Sequence, residues 1–178
     1  QYLLAYEESY GYLVGDYCRD KDAVTASMLI AEMAAFYAEK GMTLYDALQA
    51  LFEKYGHFAE HTINLVMPGL DGLSRMAALM DALRNSPPRT LAGAAVTAVR
   101  DYQSGTRKNL QDSSIETMEL SGSNVLYFEC EDGTRFIVRP SGTEPKIKIY
   151  LLARGADAEE CMRKISAYTE AARALCAE

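Results

Sequence analysis

The sequence predicts an α+β fold: an antiparallel sheet with flanking helices, preceded by a short helical segment. Three observations carry this. Four short strand-like runs follow one another between residues 95 and 153, and Asp132-Gly133, a hairpin turn signal, joins two of them. Capped helical runs stand on either side of the strands, which suits a sheet covered by helices on one face. Two amphipathic helical runs fill most of the first 56 residues.

In chain order, the first helix is expected from Ala23 to Lys40. Asp22 is its N-cap, Gly41 its C′ residue, and Val24, Leu29, Met33, Phe36 and Tyr37 recur at helical spacing. A second helix starts after Thr43, with Asp46 at the capping-box position and Gly56 as its stop. From His61 to Met67 the alternation of Ile63, Leu65 and Met67 predicts a half-buried strand, ended by Pro68-Gly69. A helix follows from Gly72 to Asn85, with Leu73, Met76, Met80 and Leu83 on one side, and Ser86-Pro87-Pro88 stops it. The four later strands are Ala95–Tyr102, Asn124–Glu131, Thr134–Arg139 and Lys146–Ala153. The polar stretch from Arg107 to Ser123 reads as loop. Asp157 and Glu160 form a D-x-x-E capping box on the last helix. The domain boundary falls near Gly56, giving units 1–56 and 57–178.

Composition narrows the function classes. The 178 residues are 49% hydrophobic and 24% charged, ordinary globular proportions that exclude disorder. The net charge of −7 argues against a general nucleic-acid or anionic-membrane binder. The most apolar stretch, Ala23 to Tyr37, is interrupted by Glu32 and is shorter than a membrane span of ~20 residues. No basic region precedes an apolar run at the start, so no signal peptide is read. Cys18, Cys130, Cys161 and Cys176 form no C-x-x-C pair and suit reduced thiols in the cytoplasm. Gln1 in place of Met suggests a processed or excised chain. Charge is unevenly spread. Residues 1–56 hold 4 basic and 9 acidic residues, whereas the segment from Arg135 to Arg154 holds five basic residues and one acid. A local positive patch on an acidic chain suits one small anion better than a polyanion track.

The strongest chemical signal is Arg139-Pro-Ser-Gly-Thr-Glu-Pro-Lys-Ile-Lys148, a turn between two strands. Arg139 offers a planar fork for two phosphate oxygens. Ser141 and Thr143 offer hydroxyls, Gly142 permits unusual φ and close backbone approach, and successive turn N–H groups can form an anion nest. Lys146 and Lys148 share a strand face, and one of them can reach back to the anion. A polar hairpin with ordinary surface cations would carry the same residue types.

The second signal is Tyr6-Glu-Glu-Ser-Tyr-Gly11, followed by Gly15-Asp-Tyr-Cys-Arg-Asp-Lys-Asp22. Carboxylates in a tyrosine-rich turn suit vicinal sugar hydroxyls. A solvated acidic loop leading into a capped helix is the plainer alternative. A third pattern, His57-Phe-Ala-Glu-His61, matches the inverted zinc-protease signature. Only about one turn of helix fits between Gly56 and the following strand, which leaves that zinc reading weak.

Taken together, the two loops resemble the α-D-phosphohexomutases. Arg139-Pro-Ser-Gly-Thr-Glu-Pro-Lys is similar to the phosphate-binding loop of that family's last domain, and Glu7-Glu-Ser-Tyr-Gly11 to the sugar-binding loop of its third. The Arg19-Asp-Lys-Asp22 run also resembles the family. The likeness covers essentially the whole chain and is closest to the phosphoglucomutase/phosphomannomutase branch, which includes phosphopentomutases. It implies that residues 57–178 are the fourth domain, an α+β fold of the TATA-box-binding-protein type. Residues 1–56 would be the C-terminal part of the third, an α/β domain. The implied activity is that of an isomerase moving a phosphoryl group between O1 and O6 of a sugar. It acts through a phosphoserine and a bisphosphorylated intermediate that reorients.

Carried over by residue, Glu7 and Ser9 would bind sugar hydroxyls and Lys21 would contact the substrate. Arg139, Ser141, Gly142 and Thr143 would hold the non-reacting phosphate, with Lys148 where relatives have a basic residue. Pro140, Glu144 and Pro145 receive no role. The family's T-A-S-H-N-P-type serine loop and its D-x-D-x-D loop for Mg²⁺ are absent. This chain is therefore expected to hold neither catalytic residue nor metal, and its partners are the phosphosugar and the N-terminal domains of the same enzyme. The alternatives are a stand-alone sugar-phosphate-binding module and a phosphopentomutase fragment. Binding of nucleic acid through a TATA-binding-like sheet is disfavoured by the overall acidity and the absence of a basic sheet face.

Overall fold

The computed structural model of the protein describes residues 3–7 and 10–175. The chain divides into two compact units, 1–55 and 56–178.

In the first unit, strands β1 (Leu4–Tyr6) and β2 (Tyr12–Val14) pair antiparallel, with Tyr6 opposite Tyr12. Helix α1 spans Ala23–Ala38 and helix α2 Leu44–Tyr55. Asp22 caps α1 by accepting from the N–H groups of Val24 and Thr25. The same carboxylate is bonded by the hydroxyls of Tyr17 and Thr25, which hold it down to about 2. Thr43 and Asp46 form the expected reciprocal box: the Asp46 N–H donates to Thr43 Oγ1 at 3.1 Å, and the Thr43 N–H to Asp46 Oδ2 at 2.8 Å. The amphipathic expectation for α1 needs correction. None of its residues is buried, and Val24, Met28, Met33 and Phe36 are exposed. Apolar side chains run round the helix instead of along one stripe.

The second unit contains β3 (His57–Val66), α3 (Gly72–Asn85), β4 (Thr90–Leu91), β5 (Ala94–Asp101), β6 (Thr106–Asn109) and β7 (Ile115–Thr117). It continues with β8 (Leu126–Cys130), β9 (Arg135–Pro140), β10 (Lys146–Gly155) and α4 (Ala158–Leu175). Apart from β4, which pairs with β5, the sheet order is β3-β10-β9-β8-β5-β6-β7, and every pairing is antiparallel. Along β10, Ile147, Ile149, Leu151 and Ala153 are buried and alternate with more exposed residues. The buried row meets Met76, Met80 and Leu83 of α3 and Ile165, Tyr168 and Ala172 of α4 in one core. The α+β class is as expected, with both helices on one sheet face.

Caps and turns follow local chemistry. Gly133 takes φ +85°, and the Asp132 carboxylate accepts the Thr134 N–H at 2.9 Å, so Asp132-Gly133 does turn the β8–β9 hairpin. Asp157 accepts the Glu160 N–H at 2.7 Å, while Glu160 reaches one residue past its expected partner to the Ala156 N–H, at 2.8 Å.

A further expectation fails. Residues 107–123 are not simply loop, because Thr106–Asn109 and Ile115–Thr117 extend the sheet edge. Their polar composition suits an edge whose outer side faces water. The His57–His61 motif is not helical: β3 already begins at His57 and pairs with β10 along its whole length. Four residues of strand separate the histidines by about 13 Å, too far for one ion.

Candidate functional site

Strand pairing positions the loop between β9 and β10. Arg139 stands opposite Lys148, and Pro140 opposite Ile147. Side chains directly opposite share a face, so the Arg139 guanidinium and the Lys148 ammonium project from the same side of the sheet, away from the buried row. The Ser141 N–H closes the neck of the loop on the Lys146 carbonyl at 2.9 Å. Ser141 Oγ accepts the N–H groups of Thr143 at 3.4 Å and Glu144 at 3.3 Å, long bonds that leave these donors weakly held. At the far end, the Pro145 carbonyl accepts the Met67 N–H at 2.8 Å.

These residues wall a cleft of about 340 Å³. All five residues expected to hold phosphate, Arg139, Ser141, Gly142, Thr143 and Lys148, line it. Lys146 and Glu144 line it too and form an ion pair with each other. The ammonium of Lys146 holds the Glu144 carboxyl below the usual carboxylate range. Arg139 is exposed, and its side chain makes no hydrogen bond or ion pair with the described residues. The expected unusual φ at Gly142 is not found. Its φ lies outside the left-handed region, and an added Cβ would meet no atom within 4 Å. Neither backbone nor packing demands glycine there.

Sequence reasoning passed over Glu144. The available signal was a carboxylate two residues before Lys146, across Pro145, which places both side chains at the mouth of one turn.

In the first unit, the Glu7 N–H donates to the Gly11 carbonyl at 2.8 Å and closes a small loop. Lys21 Nζ lies 3.4 Å from Glu7 Oε1 and 2.8 Å from Asp20 Oδ1. Asp20 and then Glu7 raise the Lys21 pKa. Gly11 makes this approach possible, since a Cβ there would stand 2.5 Å from Lys21 Cγ. A cleft of about 200 Å³ is lined by Tyr6, Glu7, Gly11, Arg19, Asp20 and Lys21 among others. Glu7 and Lys21 are thus brought together, whereas Ser9 lies outside the described residues.

Other chemistry is limited. Cys18, Cys130 and Cys161 are free, and burial raises the thiol pKa of Cys130 and Cys161. Among the described residues no group of three or more His, Cys, Asp or Glu is placed to hold a metal ion. Among the described residues no helix is long and apolar enough to cross a membrane. The sheet face away from the helices carries more cations than the linear sequence suggested, because register aligns Arg100, Arg107, Arg135, Arg139 and Lys148 on it. Arg100 and Arg107 are turned onto Glu129, at 2.7 Å and 3.0 Å.

Two family models match the chain, one to each unit. The family model for the phosphoglucomutase/phosphomannomutase α/β/α domain III matches residues 1–55. The model for the phosphoglucomutase/phosphomannomutase C-terminal domain matches residues 63–165. A phosphoglucomutase of Staphylococcus haemolyticus is 39% identical over 168 residues, covering 94% of this chain and 30% of that protein. A probable phosphomannomutase of Haemophilus influenzae is 35% identical over 172 residues, covering 96% of this chain and 32% of that one. The open form of parafusin, a phosphoglucomutase from Paramecium, matches with a TM-score of 0.54 at 16% identity, over 92% of this chain and 29% of that one, a likeness of fold. The chain therefore spans about 30% of the length of these relatives. With the C-terminal-domain match covering more than half of its residues, the chain belongs to the phosphoglucomutase/phosphomannomutase family.

Proposed function

We propose that this chain is the substrate-gripping portion of a cytoplasmic sugar-phosphate mutase. In that enzyme a phosphoserine and Mg²⁺, both supplied by other domains, interconvert sugar 1-phosphate and sugar 6-phosphate. The Arg139–Thr143 loop with Lys148 binds the non-reacting phosphate. Glu7, Ser9 and Lys21 bind sugar hydroxyls and the adjoining part of the substrate.

The observation that carries the reading is the in-register pair Arg139 and Lys148 at the wall of the 340 Å³ cleft. The guanidinium offers a two-pronged charge-assisted contact and the ammonium a point charge, while the weakly held Thr143 and Glu144 N–H groups complete an anion-binding turn. Gly142 fits the same role, because what it leaves open is room for a ligand to approach the backbone. Phosphoryl transfer depends chiefly on positioning and electrostatics. Gripping one phosphate leaves the other end of the sugar facing the phosphoserine, and a bisphosphorylated intermediate must release the grip to reorient between half-reactions.

The test is titration of the chain with inorganic phosphate, followed by amide NMR shifts. The parent should show saturable shifts centred on residues 139–148, and Arg139→Ala should weaken binding about tenfold or more, the size of a lost charge-assisted contact. Equal binding by Arg139→Ala would remove the site.

A further inference from the structure

We propose that Glu144 is an internal counter-ion of the cleft, competing with phosphate for Lys146 and keeping the grip weak enough to be released. This rests on the reading of the loop as a phosphate site.

Glu144 and Lys146 are linked twice, by the side-chain ion pair and by a 2.7 Å bond from the Lys146 N–H to the Glu144 carbonyl. Pro145 between them has a fixed φ, and its carbonyl is held by Met67. The pair is therefore formed on a stiff frame and costs little ordering. The two ends are unequally held: the Glu144 side chain is 59% exposed against 32% for Lys146. The carboxylate is the partner that can swing into water, leaving the ammonium at the cleft wall.

Removing the carboxylate would leave the Lys146 ammonium at the cleft wall without this counter-ion, open to the phosphate. An intermediate that must let go of the loop in every cycle would then be held longer. Glu144, whose pKa lies below the usual carboxylate range, stays ionised between pH 6 and 8.

The experiment is a titration of the chain with inorganic phosphate at pH 8 for the parent, Glu144→Gln, Lys146→Met, the double variant and Arg139→Ala. Glu144→Gln should bind about three-fold more tightly, the scale of an exposed ion pair. The gain should vanish in the Lys146→Met background. Unchanged or weaker binding by Glu144→Gln overturns the proposal, as does an equal gain with Lys146 absent. Failure of the underlying site shows separately, as Arg139→Ala binding like the parent.

Discussion

The Met67 N–H donates to the Pro145 carbonyl at 2.8 Å, tying the end of the Ser141–Pro145 loop to the turn that leads into α3. The loop is thereby anchored by a strand neighbour distant in sequence. Gly72 permits the approach: a Cβ there would lie 2.1 Å from the Met67 carbonyl oxygen and 2.9 Å from Pro145 Cβ.

Gly72→Ala should accordingly destabilise the second unit by about 1–3 kcal/mol, since backbone must shift to admit the methyl. Urea unfolding measures the loss. Hydrogen exchange at the Met67 amide should speed up beyond the global change if the anchor itself loosens.

Gly142→Ala should behave in the opposite way. With ordinary φ and open space, alanine should leave stability unchanged or raise it by about 0.4–1 kcal/mol by restricting the unfolded chain. Phosphate binding should nonetheless weaken, as the methyl takes the room a ligand needs beside the backbone. Thermal melts and phosphate titration separate the two effects, and undiminished binding would count against close backbone contact.

Glu129 should shape the acid limb of stability. Arg107 grips it with two bonds of 3.0 Å and Arg100 with one of 2.7 Å, and these cations lower its pKa from 4.5 to about 2. A carboxylate with a depressed folded pKa contributes fully above its unfolded value, and the contribution is lost as pH falls through the folded value. Glu129→Gln should cost about 2 kcal/mol near neutrality, the low side for a buried pair because Arg100 is 38% exposed. The gap between variant and parent in urea unfolding should narrow from pH 5 down to about pH 2.

The purified chain should not turn over glucose 1-phosphate, because it carries neither the serine loop nor the metal-binding loop of its family. A coupled assay for glucose 6-phosphate checks this. Measurable turnover that copurifies with the chain would require a catalytic group among these 178 residues.

Much of the molecule was legible in one dimension because its signals are short-range. The Thr43–Asp46 box, the Asp132-Gly133 turn and the period-two burial of Ile147, Ile149 and Leu151 each depend on residues a few positions apart. The run from Arg139 to Lys148 likewise declares its chemistry by composition and order, enough to suggest the family. Tertiary structure decided what depends on non-local partners. Strand register set Lys148, not Lys146, opposite Arg139, while the turn handed Lys146 to Glu144. Sheet order gathered Arg100, Arg107 and Glu129 from three strands and made an edge of a polar stretch that read as loop. Periodicity and capping are written into neighbouring residues, but cross-strand pairing is chosen by the collapse of the whole unit around its buried face.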